Sequence, residues 1–176
     1  MDGAPARAAA DFDRDHAADF YSDAFIRGIL RDVETVAMIG ASTNWNRPSY
    51  FAMKYMQQKG FRVIPVNPGA AGQELLGETV AADLASLPCP VDMIQVFRRS
   101  EAAPGIVEAA LALDPRPKVI WLQLGVISQE AAETAEAAGL RVVMNRCPKI
   151  EYARLSGELG WNGFNTRVIT ARKREM

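Results

Sequence analysis

The residues best suited to chemistry lie in one short segment, Gly40 to Ser49, which follows an apolar run. A glycine allows a tight turn at the end of a strand, and the N–H groups that follow it, with the hydroxyls of Ser42 and Thr43, suit an anion. Arg47 adds a permanent charge whose forked donors match phosphate oxygens. Pro48 suits the first turn of a helix, whose N-terminus attracts anions. The predicted phosphate-binding residues are Gly40, Ala41, Ser42, Thr43, Arg47 and Pro48.

The second predicted strand, 61–66, carries no acid at its end, where Asn67 and Pro68 follow. Domains that bind NAD usually place Asp or Glu there, because a carboxylate accepts a hydrogen bond from the ribose 2′-hydroxyl. The first loop also has a single glycine where the dinucleotide fingerprint has three. The segment therefore favours a phosphorylated ligand other than NAD.

Cys147 is the one candidate for covalent chemistry. Arg146 and Lys149 flank it, and nearby cations favour the reactive thiolate. It could then form a mixed disulfide with a thiol ligand, and the alternative interpretation is a thiol packed under the last loop. Asp and Glu fall mostly on predicted helix faces, so no acid–base pair is identified and a binding protein is favoured over an enzyme.

Strands and helices alternate from Thr35 onward. The predicted strands cover 35–39, 61–66, 91–97, 118–124 and 140–144, and the predicted helices cover 49–59, about 80–87, 101–113 and 128–138. Alternation indicates an α/β fold with a single Rossmann-like, doubly wound parallel sheet of about five strands and helices on both faces. Ligands of such sheets bind beyond the carboxyl ends of the strands. The segments that follow the strands are therefore the expected site.

The predicted domain covers residues 21–165. Residues 1–20, rich in Ala and Asp and containing the only histidine, His16, are predicted to form a mobile leader. Ser22 then caps an amphipathic helix. Near the other end, Trp161 and Phe164 are expected to cover the domain, and residues 166–176 to form a polar tail.

Composition argues against several classes of partner. The formal net charge is −1, so general attraction to nucleic acid or to an anionic membrane is not expected. No apolar run approaches the ~20 residues of a membrane helix, and a cytoplasmic location is expected. Two cysteines are too few for a disulfide framework or a zinc site, so no metal is expected.

Taken in order, the strand-end segments resemble the CoA-binding protein family, small Rossmann domains similar to the nucleotide-binding domain of the succinyl-CoA synthetase alpha subunit. The resemblance runs from about Ser22 to Trp161. The matching stretches are Gly40-Ala41-Ser42 with Arg47-Pro48-Ser49, Ile64 to Pro68, Val96 to Ser100, Trp121 to Gly125, and Asn145 to Tyr152. It implies coenzyme A or acyl-CoA as the bound ligand and, for most members, no established reaction.

Residue by residue, the resemblance implies three groups of contacts. Gly40, Ala41, Ser42 and Arg47 are placed at the pyrophosphate, Asn67 and Pro68 beside the adenosine half, and Phe97, Arg98, Gln123 and Gly125 along the rest of the groove. The adjacent Arg99 and Leu124 complete the predicted set, although Arg98 and Arg99 are alternatives, since one can bind phosphate while the other faces solvent. The 3′-phosphate of CoA makes an acid after the second strand unfavourable.

Other functions stay open at this point. His16 lies far in sequence from every candidate loop, so the phosphohistidine chemistry of the synthetase is not expected. The alternatives are an NAD(P)-dependent oxidoreductase, an acyl-CoA-using enzyme, and a protein-interaction module with a vestigial pocket. A CoA binder could be a sensor, a carrier or a redox-linked partner, and a homodimer is compatible with such a small domain.

Overall fold

The computed structural model describes residues 14–157, along which strands and helices alternate. The strands are β1 (Arg14–Asp15), β2 (Phe20–Tyr21), β3 (Thr35–Ile39), β4 (Arg62–Val66), β5 (Glu74–Leu75), β6 (Glu78–Thr79), β7 (Met93–Val96), β8 (Val119–Leu122) and β9 (Arg141–Val143). The helices are α1 (Asp23–Asp32), α2 (Pro48–Gln58), α3 (Ala103–Leu111), α4 (Gln129–Ala137) and α5 (Pro148–Leu155), with short 3-10 turns at Pro68–Ala70 and Ser100–Ala102. The expectations for residues 1–13, Trp161, Phe164 and 166–176 fall outside the described residues.

Five parallel strands form the central sheet, in the order β4-β3-β7-β8-β9. The chain passes from β3 to β4 on one side and continues from β7 to β9 on the other. The direction of winding therefore reverses between β3 and β7, and the crevice for a ligand is expected there. This architecture confirms the predicted fold class.

The sheet is buried on both faces, which explains its nearly continuous apolar strands. On one face, Met38 and Trp121 pack with Met53 from α2 and Ile29 from α1. The other face packs against α3 and α4 through small residues such as Ala132. All four residues of β8 are buried.

The helix predicted at about 80–87 is wrong. β5 and β6 form an antiparallel hairpin, and Ala81 bridges to Val66 at the sheet edge. Asp83 and Ser86 then close a turn, in which the Ser86 N–H donates to Asp83 Oδ1 at 2.9 Å and the Asp83 N–H donates to Ser86 Oγ at 3.1 Å. The segment is too short to offset the cost of helix nucleation, and side-chain bonds to the backbone favour the turn.

The ends of the described chain also differ from expectation. Residues 14–20, assigned to the leader from the sequence, form most of a hairpin in which Asp15 pairs with Phe20. After the last sheet strand, α5 begins at Pro148 and was not predicted. In residues 14–157, no helix has the length and apolar character required to cross a membrane.

Candidate functional site

Gly40 lies where the loop after β3 closely approaches the loop after β7. Its φ is +84°, and a Cβ at this position would lie 2.4 Å from the Phe97 carbonyl oxygen. The Gly40 N–H donates to Val66 O at 2.9 Å, and the Phe97 N–H donates to Ile39 O at 2.8 Å. Only glycine satisfies both the left-handed backbone and the close approach at the switch point.

The loop from Ala41 to Asn46 is a series of short side-chain-to-backbone turns. The Ser42 N–H donates to the buried Ser49 Oγ at 3.2 Å, the Asn44 N–H to Ser42 Oγ at 3.2 Å, and the Asn46 N–H to Asn44 Oδ1 at 3.0 Å. Three of the backbone N–H groups predicted to face a ligand therefore already donate hydrogen bonds to nearby side chains. The Thr43 N–H has no partner among the described residues and remains available to an anion.

Arg47 is the N-cap of α2, and no side chain caps this helix. Pro48 occupies the first helical position, as predicted. The Arg47 side chain is exposed and forms no ion pair with any of residues 14–157. A free guanidinium therefore stands at the positive end of a helix, an arrangement suited to an anion.

Asn67 braces this loop from the neighbouring strand. Its Nδ2 donates to Ala41 O at 2.8 Å, while its Oδ1 accepts from the Gly69 N–H at 3.0 Å. The amide is thus committed to holding the two loops together. Pro68, beside it, is exposed at the same edge of the sheet.

The loops after β7 and β8 are joined to each other. Phe97 is partly buried against the core, whereas Arg98 and Arg99 are exposed without an ion pair in the described part of the chain. Ser100 Oγ accepts from the Ile127 N–H at 3.0 Å. Both arginines face outward, so the structure does not choose between them.

Gln123 follows β8 directly and is buried, and its Oε1 accepts from Gln95 Nε2 at 3.3 Å. Gln95 Oε1 is buried without a partner among the described residues. Leu124 is half exposed, and Gly125 has a φ of +78° and donates its N–H to Asn145 Oδ1 at 2.8 Å. The exposed surface of this loop is therefore Leu124 and Gly125 rather than the Gln123 amide.

Cys147 is buried at the N-cap of α5. The flanking cations expected to activate it have other partners, since Arg146 pairs with Asp19 at 2.8 Å and Lys149 Nζ lies 5.8 Å from the centre of the Tyr55 ring. Trp121 is fully buried, and its indole N–H donates to Arg146 O at 2.8 Å. Covalent chemistry at Cys147 stays a prediction.

The hairpin β1–β2 is the part of this edge that sequence reasoning missed. Its Asp19 contacts Asn145 and Arg146, while the Tyr21 hydroxyl accepts from the Met144 N–H at 2.7 Å. Burial raises the pKa of Tyr21 to about 12. Two-residue strands give no periodic signal, so nothing in the sequence pattern pointed to these contacts.

A cavity of 270 Å³ lies elsewhere, between α1 and α5. Arg27, Leu30, Arg31, Tyr152, Leu155 and Ser156 line it. Of these residues, Tyr152 alone falls in one of the matching strand-end stretches, and it lies on α5. The predicted ligand-binding residues instead lie in the loops at the carboxyl edge of the sheet.

Comparison with known proteins bears on the ligand. The sequence profile of a family described as a CoA binding domain matches residues 34–153. The uncharacterized protein YneT of Bacillus subtilis (strain 168) is 36% identical over 132 residues, which span 75% of this chain and 95% of that protein.

Two solved structures are similar over most of the described fold. One is cell-free ID.343 from Thermus thermophilus, 37% identical, with a TM-score of 0.72 over 76% of this chain and 98% of the other. The second is a hypothetical protein from Pyrococcus horikoshii OT3, 33% identical, with a TM-score of 0.73 over 79% and 95%.

Proposed function

The chain belongs to the CoA binding domain family, and from this membership we propose that it binds coenzyme A or an acyl-CoA along the carboxyl edge of its sheet. The observation that carries the proposal is the approach of the β3 and β7 loops at Gly40. It forms the crevice at the switch point, where doubly wound sheets take their ligands.

The first contact we assign is the pyrophosphate, at the loop from Gly40 to Arg47. The free Thr43 N–H, the unpaired Arg47 guanidinium and the uncapped N-terminus of α2 support this assignment. Each stabilises negative charge, and together they lie on one side of the crevice. Phosphate binding by this loop thus relies on fewer backbone amides than the sequence suggests.

The adenosine half is assigned to the β4 side, beside Asn67 and Pro68. No acid follows β4, and the Asn67 amide is held by Ala41 and Gly69. A carboxylate here would repel the 3′-phosphate of CoA. The pantetheine half then lies over Phe97 and the Leu124–Gly125 loop, with Arg98 or Arg99 at a phosphate.

We propose binding without catalysis by this chain. The groups assigned to the ligand are hydrogen-bond donors, arginine side chains and apolar side chains, which recognise a ligand. The two acids nearest the β9 end are engaged, because Asp19 pairs with Arg146, and Glu151 pairs with Arg154 at 2.7 Å. The roles that fit are a sensor, a carrier or a redox-linked partner of CoA.

The redox-linked role has a direct test. Diamide would take up two electrons and two protons as the Cys147 thiol and the CoA thiol join in a disulfide. Mass spectrometry of protein treated with CoA and diamide should then show the added mass of one CoA, lost in Cys147→Ser and kept in Cys89→Ser. Absence of the adduct from the wild-type protein would rule out this role and leave the sensor and carrier roles.

The binding proposal is tested by thermal-shift titration with CoA, dephospho-CoA, acetyl-CoA and NAD at matched concentrations. A ligand that binds the folded state raises the melting temperature. We expect CoA to stabilise well above dephospho-CoA and NAD, since only CoA and its thioesters carry the 3′-phosphate. A response to NAD alone would favour the oxidoreductase, and no response to any ligand would favour the interaction module.

A further inference from the structure

The hairpin β1–β2 is fastened to the loop after β9 by a dense set of polar contacts. Arg146 Nη1 donates to both carboxylate oxygens of Asp19 at 2.8 Å, and Arg146 Nη2 donates to the Asp19 carbonyl at 2.6 Å. The Arg146 guanidinium also lies 5.5 Å from the centre of the Tyr21 ring. The hairpin and the loop are therefore held in one fixed arrangement.

Two further contacts hold the hairpin on the domain. His16 Nε2 lies 3.0 Å from Glu136 Oε1 on α4, and Arg14 pairs with the same oxygen at 2.7 Å. His16 Nδ1 lies 2.9 Å from the Tyr21 hydroxyl, which itself accepts from Met144. The position of Asp19 is thus set from both strands of the hairpin.

Asn145 connects Asp19 to the loop after β8, which belongs to the predicted ligand site. Its Nδ2 donates to Asp19 Oδ2 at 3.3 Å, and its Oδ1 accepts from the Gly125 N–H at 2.8 Å. Since the acid accepts only, it fixes which end of the Asn145 amide faces Gly125. Asn145 and Gly125 both have positive φ, +54° and +78°, so the bond joins two loops in uncommon backbone conformations.

We propose that Asp19 is a positioning residue for the ligand groove, acting through Asn145 on the Leu124–Gly125 loop. This inference rests on the proposed function, which assigns that loop to the pantetheine half of CoA. The hairpin lies outside residues 34–153, the span matched by the family profile. The proposed link therefore involves an element outside the matched family span, at the β9 end of the sheet.

The contacts of Arg146 indicate that Asp19 positions the loop and does not compete with a ligand phosphate for Arg146. Arg146 is surrounded by acceptors, with Asp19 on one side, Glu151 at 3.8 Å and the Asn145 carbonyl at 2.9 Å. Two carboxylates offset its single charge. Asp19 therefore anchors the loop rather than occupying a cation that a phosphate would otherwise use.

The test compares Asp19→Asn with Asp23→Asn by isothermal titration calorimetry. Asp23 pairs with Arg154 at 2.7 Å and has a side-chain exposure of 49%, against 47% for Asp19. Each variant loses one exposed ion pair, but of the two acids only Asp19 bonds the Asn145 side chain directly. Two ligands are titrated, CoA and adenosine 3′,5′-bisphosphate, which lacks pantetheine.

We expect Asp19→Asn to weaken CoA binding about tenfold and to leave the binding of adenosine 3′,5′-bisphosphate unchanged. Asp23→Asn should change neither. If Asp19→Asn fails to fold, Asn145→Gly removes the same link while tolerating the positive φ, and the same pattern is expected.

Equal CoA affinity in the Asp19→Asn and Asp23→Asn proteins would overturn the inference and leave CoA binding intact. Tighter CoA binding by Asp19→Asn, or equal weakening of both ligands, would also overturn it. Failure of the wild-type protein to bind CoA would overturn the proposed function and this inference together.

Discussion

At the scale of single residues, two side chains that the sequence assigned to the ligand are bonded to other residues of the protein. Asn67 and Gln123 stand at strand ends and were predicted to contact the ligand. In the structure, Asn67 holds Ala41 and Gly69, and Gln123 is bonded to Gln95. Residue type and position along the chain predicted where these amides lie, but not which neighbour engages them.

Gly40→Ala should destabilise the protein more than the same change at Gly60. Both glycines have positive φ, but a Cβ at Gly40 meets a backbone oxygen at 2.4 Å, whereas nothing lies within 4 Å at Gly60. We expect a loss of about 1 kcal/mol for Gly60→Ala from backbone strain alone and about 3 kcal/mol for Gly40→Ala. Urea unfolding measures both, and equal losses would contradict the close approach.

Arg47→Ala should weaken CoA binding by about 1.5 to 3 kcal/mol, through loss of a charge-assisted contact with phosphate. Arg116→Ala is the matched control, because Arg116 is exposed in the segment before β8 and lies outside the strand-end loops. Calorimetry with CoA measures both variants. An unchanged affinity for Arg47→Ala would remove this residue from the site.

At the scale of elements, one carboxylate joins the beginnings of three sheet strands. Asp92 accepts from the Glu34 and Thr35 N–H groups at 3.0 Å each and pairs with Lys118 at 2.8 Å. Burial opposes ionisation of Asp92, but the hydrogen bonds from Lys118, Glu34 and Thr35 outweigh it and lower the pKa of its carboxyl. The carboxylate therefore stabilises the edge of the sheet opposite the groove.

The stability provided by Asp92 should depend on pH in a defined direction. Because the folded pKa is lowered, this stability is present above the unfolded value of about 4 and is lost as pH falls through the folded value. Asp92→Asn should cost about 1 to 2 kcal/mol at neutral pH from weakened backbone bonds, since the exposed Lys118 pair adds little.

Urea unfolding from pH 7 to pH 2 tests this prediction. The difference between wild type and Asp92→Asn should shrink as pH falls below about 4. Asp32→Asn is the control, because Asp32 pairs only with Arg141, at 2.9 Å, and accepts no backbone N–H among the described residues. A pH-independent difference for Asp92→Asn would contradict the role of its charge.

Elements with strong periodic patterns were predicted well, and short ones were not. The five sheet strands and α2, α3 and α4 match their predicted positions to within a few residues. The turn at Asp83 and Ser86 was mistaken for a helix because its bonds are local side-chain contacts that periodicity does not register. α5 was missed since it spans only eight residues, beginning at Pro148.

At the scale of the whole molecule, parallel strands bring five distant loops to one edge. The sequence predicted this edge because alternation determines strand direction. It did not predict that the β1–β2 hairpin would contact the loop after β9, since the Asp19–Arg146 contact joins residues 127 positions apart. A contact at that separation depends on the completed fold.

Bound CoA should slow hydrogen exchange in adjacent loops along the carboxyl edge of the sheet. We expect CoA to protect 40–47, 97–100 and 123–125, which follow β3, β7 and β8, and to leave the Asp114–Lys118 segment before β8 unchanged. Bound ligand lowers exchange by contact and by stabilising the folded state. Protection confined to Arg27, Arg31 and Tyr152 would instead place the ligand in the cavity between α1 and α5.

Two tryptophan side chains of this chain differ strongly in solvent exposure. Trp45, on the loop after Gly40, is 65% exposed, while Trp121 is fully enclosed with its N–H bonded to Arg146 O. Acrylamide should quench the emission of Trp45 and spare that of Trp121. Trp45 is thus a natural fluorescent probe on the loop proposed to bind phosphate, and the emission lost in Trp45→Phe isolates its signal for following ligand binding in real time.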